Sequence, residues 1–519
     1  MFLLAIGGLL PAAAVAQDAD LTLLKAAENV FFNCIKQAEP SVVSIARVRL
    51  RSIPDGEIFL QHRAPREEDL SSSNVVPNQF GAGVIVRENG MILTMYHVVR
   101  GGPTSETGEG DQKLFVRTSD RKVYPAYIHA ADPRSDLAVL KITANGLKPL
   151  TYEFNGELRK GQFVIALGNP YAIARDGSAS ASWGILSNLG RGAQLDRAEE
   201  EGEDPDRQKR HTLHHLGTLL QLDMRLDLGT SGAPVLDLDG QLIGLSTSMA
   251  ALAGYEKSAG FAIPMNPQFK RIIDDLVAGK EVEYGFLGIN DPREVGPEAL
   301  AKLPIDAPHR RGGATFSGVM GNSPSYARLH KEDIVLEVGI PVDRGGKRQT
   351  VWKPVFGPND LMREVGILAP RTEIGLKVFQ HGSASMKTVS VVLGKWPVVD
   401  DEGIVARVRS PAWRGVRVDY STARKRYILR TFGSPMDVPP GVLVVEVLPD
   451  SPAAKAGLQP GDFITNINGS SQLRTPEEFL QKAPPEDSTQ TVTVKLATTA
   501  PSRQDQASPP PRLVEIPPK

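Results

Sequence analysis

The chain has 519 residues, too many for one hydrophobic core, and its 41% apolar and 23% charged content is that of a soluble multidomain protein. A formal charge of −1 excludes a whole-molecule field that would draw it to nucleic acid or anionic lipid. Cys34 is the single cysteine, which excludes an intrachain disulfide and a cysteine-based metal cluster.

Residues 1–16 run from an apolar stretch into Ala14-Val15-Ala16, the A-x-A pattern of a cleaved export signal. The stretch falls short of the roughly 20 apolar residues a bilayer span requires, and no later segment reaches that length, so no permanent membrane span is expected. No Lys or Arg precedes Lys25, so the basic start of such a signal is missing: either the true start lies upstream or the signal is weak. Export, periplasmic in type, is the expectation, with tethering if the leader stays uncleaved.

Residues 17–37 have helical spacing and end at Glu39-Pro40; SVVSIARVRL then alternates like a strand. Residues 52–78 are polar and turn-rich, as in a long surface loop. From Gly81 to about Ile263 short strands recur, with Asn89-Gly90 and Asp239-Gly240 placed as hairpin turns between apolar runs. A pair of all-β barrels is expected here. An amphipathic helix over 266–282 closes the region.

Beyond it the chain says similar things twice, GATFSGVMGNSPSYARLHKEDIVLEVG at 313–339 and GVLVVEVLPDSPAAKAGLQPGDFITNING at 441–469. Duplication at this spacing means two related domains, not a solenoid. Residues 498–519, rich in Pro, Ser and Gln, are expected to be disordered.

Amide hydrolysis needs a nucleophile, a base, a group that orients the base, and donors for the oxyanion. His97 ends the segment MILTMYHVV, Asp136 lies in ADPRSDLAVLKI ahead of an apolar strand, and Ser231 lies in LDLGTSGAPVLDLDG. Gly229, Thr230 and Ser231 are the candidate oxyanion-hole residues, with the backbone N–H of Gly229 exposed beside that of Ser231. Singly, each is an ordinary turn, cap or core residue. Together, in the order His, Asp, Ser, they follow the arrangement of double-barrel trypsin-like proteases.

The strings GAGVIVRENGMILTMYHVV, DPRSDLAVLKI, FVIALGNPY, WGILSNLGR, GTSGAPVLDLDGQLIGLST and GFAIPMN follow one another as in an HtrA protease domain, which the chain resembles over most of residues 41–270. The resemblance implies a mainly β fold: a chymotrypsin-like double barrel over 38–275, carrying ATP-independent proteolysis without metal or nucleotide cofactor. It makes His97 the general base, Asp136 its orienting group and Ser231 the nucleophile. Matched pocket positions, Leu226 and Leu245 through Met249 (Leu245, Ser246 and Thr247 foremost), hold no acid, so a small or medium aliphatic P1 residue is expected. Ala233 departs from the family's Gly-Asn-Ser-Gly-Gly, adding a methyl where a Gly-only backbone could be needed. Residues 196–210, acidic then basic, read as a solvated surface insertion, the sharper alternative being a sensor that docks on a neighbour. His211, His214 and His215 after it lack the partners of a zinc site and read with that solvated loop.

Phe286-Leu287-Gly288-Ile289 and Trp413-Arg414-Gly415-Val416 resemble the carboxylate-binding loops of PDZ domains, placing one such domain at 282–396 and another at 404–497. Arg414 stands where an apolar residue is usual. The family implies unfolded-protein substrates, C-terminal peptide ligands and a homotrimer or a multiple of it. The rivals are a catalytically weakened chaperone or adaptor acting through its peptide grooves, and a narrow protease with one signalling target.

Overall fold

The computed structural model describes residues 12–49, 79–105, 112–153, 156–169, 178–192, 212–247, 259–344, 347–398, 403–432, 438–497 and 511–519. The loop expected at 52–78, the insertion at 196–210, His211 and Met249 lie outside the described residues. The chain divides into two units, Met1–Val277 and Ala278–Lys519.

In the first unit, helix α1 (Ala12–Ala38) begins ahead of the Ala14-Val15-Ala16 pattern and continues through it. Its C-terminal half packs through Cys34 and Ala38, both buried, while Leu23, Leu24 and Phe32 stay exposed. Phe31 meets Trp183 edge-on at 5.6 Å. The Cys34 thiol donates to the Asp237 carbonyl at 3.4 Å. Burial, with the Asp237 charge, pushes that thiol up to about 11, so it is unreactive at neutral pH.

Twelve strands then close two barrels. Strands β1 (Val42–Arg49), β2 (Gln79–Arg87), β3 (Met91–Met95), β4 (Gln112–Arg117), β5 (Val123–Asp132) and β6 (Leu137–Ile142) close in the order β1-β2-β3-β6-β5-β4. The Asn89-Gly90 turn joins β2 to β3, with Ile85 opposite Ile92. Gly90 has φ +90°, and a Cβ there would stand 2.4 Å from the Ile142 carbonyl, so only glycine fits. Strands β7 (Phe163–Gly168), β8 (Ser180–Arg191), β9 (Leu219–Leu222), β10 (Pro234–Leu236), β11 (Leu242–Thr247) and β12 (Gly260–Pro264) close as β10-β11-β12-β9-β8-β7. Asp239-Gly240 turns β10 into β11 as the sequence predicts. The barrels are apolar: Val84, Leu93 and Val139 share one buried face of the first, and Val164, Leu222 and Ile243 pack in the core of the second. The amphipathic helix expected at 266–282 spans Pro267–Val277 and buries Phe269, Ile272, Ile273 and Leu276.

The second unit holds two sheets of one design. The first orders β14 (Ile289–Val295), β15 (Gly313–Val319), β16 (Ile334–Arg344), β18 (Glu373–Gln380) and β19 (Ser385–Val392), with β17 (Lys347–Pro354) added to β16. The short β13 (Gly285–Phe286) and β20 (Gly394–Lys395) pair separately. The second orders β21 (Val416–Tyr420), β22 (Val442–Val447), β23 (Phe463–Ile467), β24 (Val492–Leu496) and β25 (Leu513–Ile516). Each sheet is accompanied by one helix before its fourth strand, Pro358–Gly366 in the first and Pro476–Lys482 in the second.

Of the tail expected to be disordered over 498–519, residues 498–510 lie outside the described residues, and strand β25 corrects the expectation for the rest. It pairs antiparallel with β24, Val494 opposite Val514, and buries Val514 and Ile516. A four-residue alternation inside a Pro-rich window is too short to predict a strand alone, but the sheet edge supplies the missing hydrogen bonds.

A buried ionic cluster ties the two sheets together. The Lys395 ammonium, 2% exposed, reaches Glu281 at 3.0 Å, Glu283 at 2.9 Å and Asp419 at 2.8 Å. Arg424 pairs with Glu281 at 2.9 Å. Burial alone would raise the Glu281 carboxyl, but Lys395 and Arg424 hold it down to about 2.

Candidate active site and peptide loops

The chain leaves β3 at Met95 into the one-turn helix α2 (Tyr96–Val99), so His97 sits just past the strand end. Asp136 grips that turn at three points. Its carbonyl accepts from Tyr96 N–H at 2.7 Å, its Oδ1 from His97 N–H at 3.0 Å, and its Oδ2 from His97 Nδ1 at 2.7 Å. A carboxylate can only accept, so in the neutral ring Nδ1 carries the proton and Nε2 presents the lone pair. Nε2 is buried and has no hydrogen-bond partner among the described residues. A base with an open lone pair, held by a buried acid, is what a nucleophilic hydroxyl needs.

Asp136 holds a left-handed backbone, φ 55°, which a non-glycine residue keeps only under outside constraint. Asp132 supplies part of it, its carboxylate accepting from both N–H and Oγ–H of Ser135. His214 supplies another part, donating Nε2–H to the Ser135 carbonyl at 2.9 Å while Nδ1 accepts from the Thr218 hydroxyl at 3.0 Å. His214 therefore does not belong to a solvated loop: it is fully buried and stacks on Phe269 at 6.3 Å. An Asp followed three residues later by Ser, as in Asp132 and Ser135, is a local turn signal legible in the sequence. The partnership with His214, 79 residues away, is not.

Burial lowers the His214 ring to about 4. The unfolded chain takes up that proton near pH 6.5 and the folded chain only near pH 4. Between those values the unfolded state binds more protons, so stability rises with pH and falls as pH drops through the window. From pH 7 to pH 5 the loss from this group is about 2 kcal/mol. Urea unfolding at the two pH values should show that extra loss in the wild type and not in His214→Gln; equal pH dependence in both would refute it.

Ser231 belongs to the second barrel yet bonds to the first, its carbonyl accepting from Ala82 N–H on β2 at 2.8 Å. The turn around it needs glycine twice. Gly229 has φ +96° and Gly232 φ +87°, and a Cβ on Gly232 would stand 2.1 Å from the Ala82 carbonyl. Thr230 N–H is committed to the Asp227 carbonyl at 3.1 Å, so of the three predicted oxyanion residues Thr230 contributes no open N–H. Ala233 keeps a negative φ and is fully buried. Its methyl lies over Gly168, 3.1 Å from where a Cβ would be, so the missing side chain of Gly168 makes room for it.

The expected pocket residues divide. Leu245, Ser246 and Thr247 are buried on β11, and the Ser246 hydroxyl is spent on the Thr230 carbonyl at 2.5 Å and the Ala233 carbonyl at 3.1 Å. Ser246 thus braces the turn that carries Ser231. Leu226 packs over Gly260 of β12, its Cδ1 2.8 Å from where a Cβ would be.

The two expected peptide loops differ. Phe286, Leu287, Gly288 and Ile289 line a cavity of about 290 Å³. In the second loop, Trp413 and Val416 bond each other, N–H to carbonyl in both directions at 2.9 Å, and Arg414 N–H donates to the Glu486 carboxylate at 3.2 Å. The Arg414 side chain is turned inward and fully buried, donating to the carbonyls of Ser488 at 2.7 Å, Gln490 at 2.8 Å, Pro517 at 3.0 Å and Ile516 at 3.2 Å. Gly415 between them has φ +86°. Of the residues expected to bind peptide here, Trp413 and Val416 thus have their N–H groups engaged by each other, and Arg414 has its own engaged by Glu486.

A trypsin-like peptidase domain model matches residues 81–245 and a PDZ domain model residues 443–495. The chain is 30% identical over 389 residues to a "Probable periplasmic serine endoprotease DegP-like" of Chlamydia trachomatis, covering 75% of this chain and 66% of that one. It therefore spans about two thirds of that relative's length. It is 30% identical over 431 residues to a protein of the same description from Pseudomonas fulva, covering 81% of this chain and 75% of the other. A solved "HtrA-type protease AlgW with tripeptide" aligns over 71% of this chain and 98% of its own, at 22% identity and TM-score 0.48.

Proposed function

The chain belongs to the HtrA/DegP-like family of trypsin-like serine endoproteases, and from that premise we propose that it is an ATP-independent endopeptidase that cuts unfolded or misfolded proteins in the cell envelope. The observation that carries the reading is the 2.7 Å contact of His97 Nδ1 with Asp136 Oδ2, which leaves a buried, unpartnered Nε2. In this reading Ser231 Oγ attacks the substrate carbonyl carbon as its proton passes to Nε2. The resulting oxyanion is taken by the N–H groups of Gly229 and Ser231. His97 then returns the proton to the leaving amine, and a water activated by the same base releases the acyl group from Ser231.

Leu226, with no acid beside it among the matched pocket positions, supports a small or medium aliphatic P1 residue. The first repeat, built like the second, supports a PDZ reading for 282–396, with peptide C-termini as ligands. Exposed Leu23, Leu24, Phe32 and Trp183 on the protease unit support self-assembly, as a homotrimer or a multiple of it. The relatives' periplasmic description supports export, and among the described residues no helix is long and apolar enough to cross a membrane. The weakened-adaptor alternative loses its motive, because Ala233 occupies space that Gly168 leaves open.

The test is incubation of purified protein with a reduced, alkylated protein substrate, without nucleotide, alongside labelling by a fluorophosphonate. Cleavage after aliphatic residues and a phosphonyl adduct on Ser231 are expected, in a particle sized by light scattering at three chain masses or a multiple. Absence of both cleavage and adduct would transfer the case to the adaptor reading.

A further inference from the structure

The cavity beside the first repeat's loop is not built by the first repeat alone. Met362 and Val365 of the helix Pro358–Gly366 form one wall, and Thr422, Lys425, Ile428 and Val438 of the second repeat complete it. Ile428 and Val438 are buried, each 6% exposed, so the second repeat brings apolar surface. Lys425 brings the single ionisable side chain among the lining residues. It forms no ion pair among the described residues, and its backbone N–H, donating to the Val398 carbonyl at 3.0 Å, fixes where the side chain starts.

This arrangement is held firmly. Lys425 directly follows Arg424, which the buried Glu281 and Lys395 cluster anchors, and Thr422 donates its hydroxyl to the Lys395 carbonyl at 2.5 Å. On the loop side, the N–H groups of Leu287 and Gly288 meet no acceptor among the described residues. Among the described residues strand β14 pairs only with β15, leaving its other edge unpaired. The cavity thus combines open N–H donors, a cation with no carboxylate beside it in the lining, apolar walls and an unpaired strand edge.

We propose that this is a two-repeat receptor for peptides ending in an apolar residue with a free carboxylate, in which Lys425 of the second repeat is the counter-charge for that carboxylate. The last side chain enters between Phe286, Met362 and Ile428, the carboxylate takes the Leu287 and Gly288 N–H groups and the Lys425 ammonium, and the preceding residues extend β14. The inference rests on the first repeat being the peptide-binding one. It adds that the second repeat, whose own loop is filled by Glu486, serves as part of its neighbour's pocket.

The experiment is fluorescence polarisation on the full-length Ser231→Ala protein, with a labelled decapeptide ending in Ala-Val-Leu and its C-terminally amidated twin. Lys425→Glu should weaken the free-acid peptide by about tenfold or more, Lys425→Arg should restore it, and the amide should bind weakly and indifferently to both changes. Unchanged affinity in Lys425→Glu, while Met362→Glu abolishes binding, would overturn the two-repeat receptor and leave the first repeat as peptide binder. Failure of the unsubstituted chain to bind either peptide would overturn the underlying reading and the inference with it.

Discussion

Replacing Ser231 with alanine is expected to lower turnover of an unfolded protein by about 10⁶, and replacing Asp136 with asparagine by about 10⁴, with the fold intact in both. Ser231→Ala removes the only group that can form the acyl bond in the proposed reaction. Asp136→Asn is more discriminating. Asparagine preserves size and one oxygen, so His97 N–H keeps an acceptor in place of Oδ1, and the 2.7 Å bond from Tyr96 N–H to the residue 136 carbonyl is untouched. What changes is the partner of Nδ1. An amide NH₂ facing the ring donates, Nδ1 becomes an acceptor, and the ring's proton moves to Nε2, where no lone pair is left to take the serine proton. Steady-state cleavage assays, with circular dichroism and thermal melting as fold controls, measure both effects. If Asp136→Asn kept more than about a tenth of the activity, the assignment of the base and its orienting group would fall.

Replacing Arg414 with methionine is expected to destabilise the second repeat by about 3 to 5 kcal/mol, a large part of what holds a domain together. The guanidinium satisfies carbonyls from two separated segments, Ser488 and Gln490 before β24 and Ile516 and Pro517 at the end of β25. It also stacks over the Trp413 ring at 5.0 Å. Methionine fills part of the volume but leaves four carbonyls without their donor. Lysine should rescue little, because a single ammonium cannot reproduce the planar fork that reaches both segments. Hydrogen exchange on the full chain reads the result directly: amides of 513–516 and 492–496 should lose protection in Arg414→Met while the two barrels keep theirs. Protection retained in β25 would show that the strand holds itself. Lys519→Ala, which removes only an exposed pair with Glu486, is the matched control.

Much of the first unit is legible in its sequence because its determinants are local. Asn89-Gly90 turns where it does because a left-handed residue must follow β2, and nothing larger than glycine clears the Ile142 carbonyl. The same holds at Gly229 and Gly232, where two positive φ values fix the turn that carries Ser231. The α1 boundary at Ala38 follows from Pro40, and the Pro267–Val277 helix from apolar spacing. His97, Asp136 and Ser231 stand out because each sits at the edge of an apolar strand in the order that a two-barrel protease requires.

Elsewhere the same residue types mean something different, because their partners are remote in sequence. His214 reads as part of a polar insertion, yet it is buried against Ser135, since only closure of β8 and β9 brings that loop beside Asp136. Ala233 reads as a threat to the nucleophile turn until Gly168, on another strand, is seen to leave space for its methyl. Arg414 reads as a damaged peptide loop, and Leu513–Ile516 as tail; each explains the other once β25 is paired and its carbonyls need a donor.

The sequence by itself determined where the chain turns, which strands alternate, and which three side chains are candidates for the proposed chemistry, because steric and periodic rules act over a few residues. Only the tertiary structure decided which buried polar groups are satisfied and which loop N–H groups are engaged within the chain. Those outcomes depend on desolvated donors finding acceptors scores of residues away, and no local pattern records such pairings.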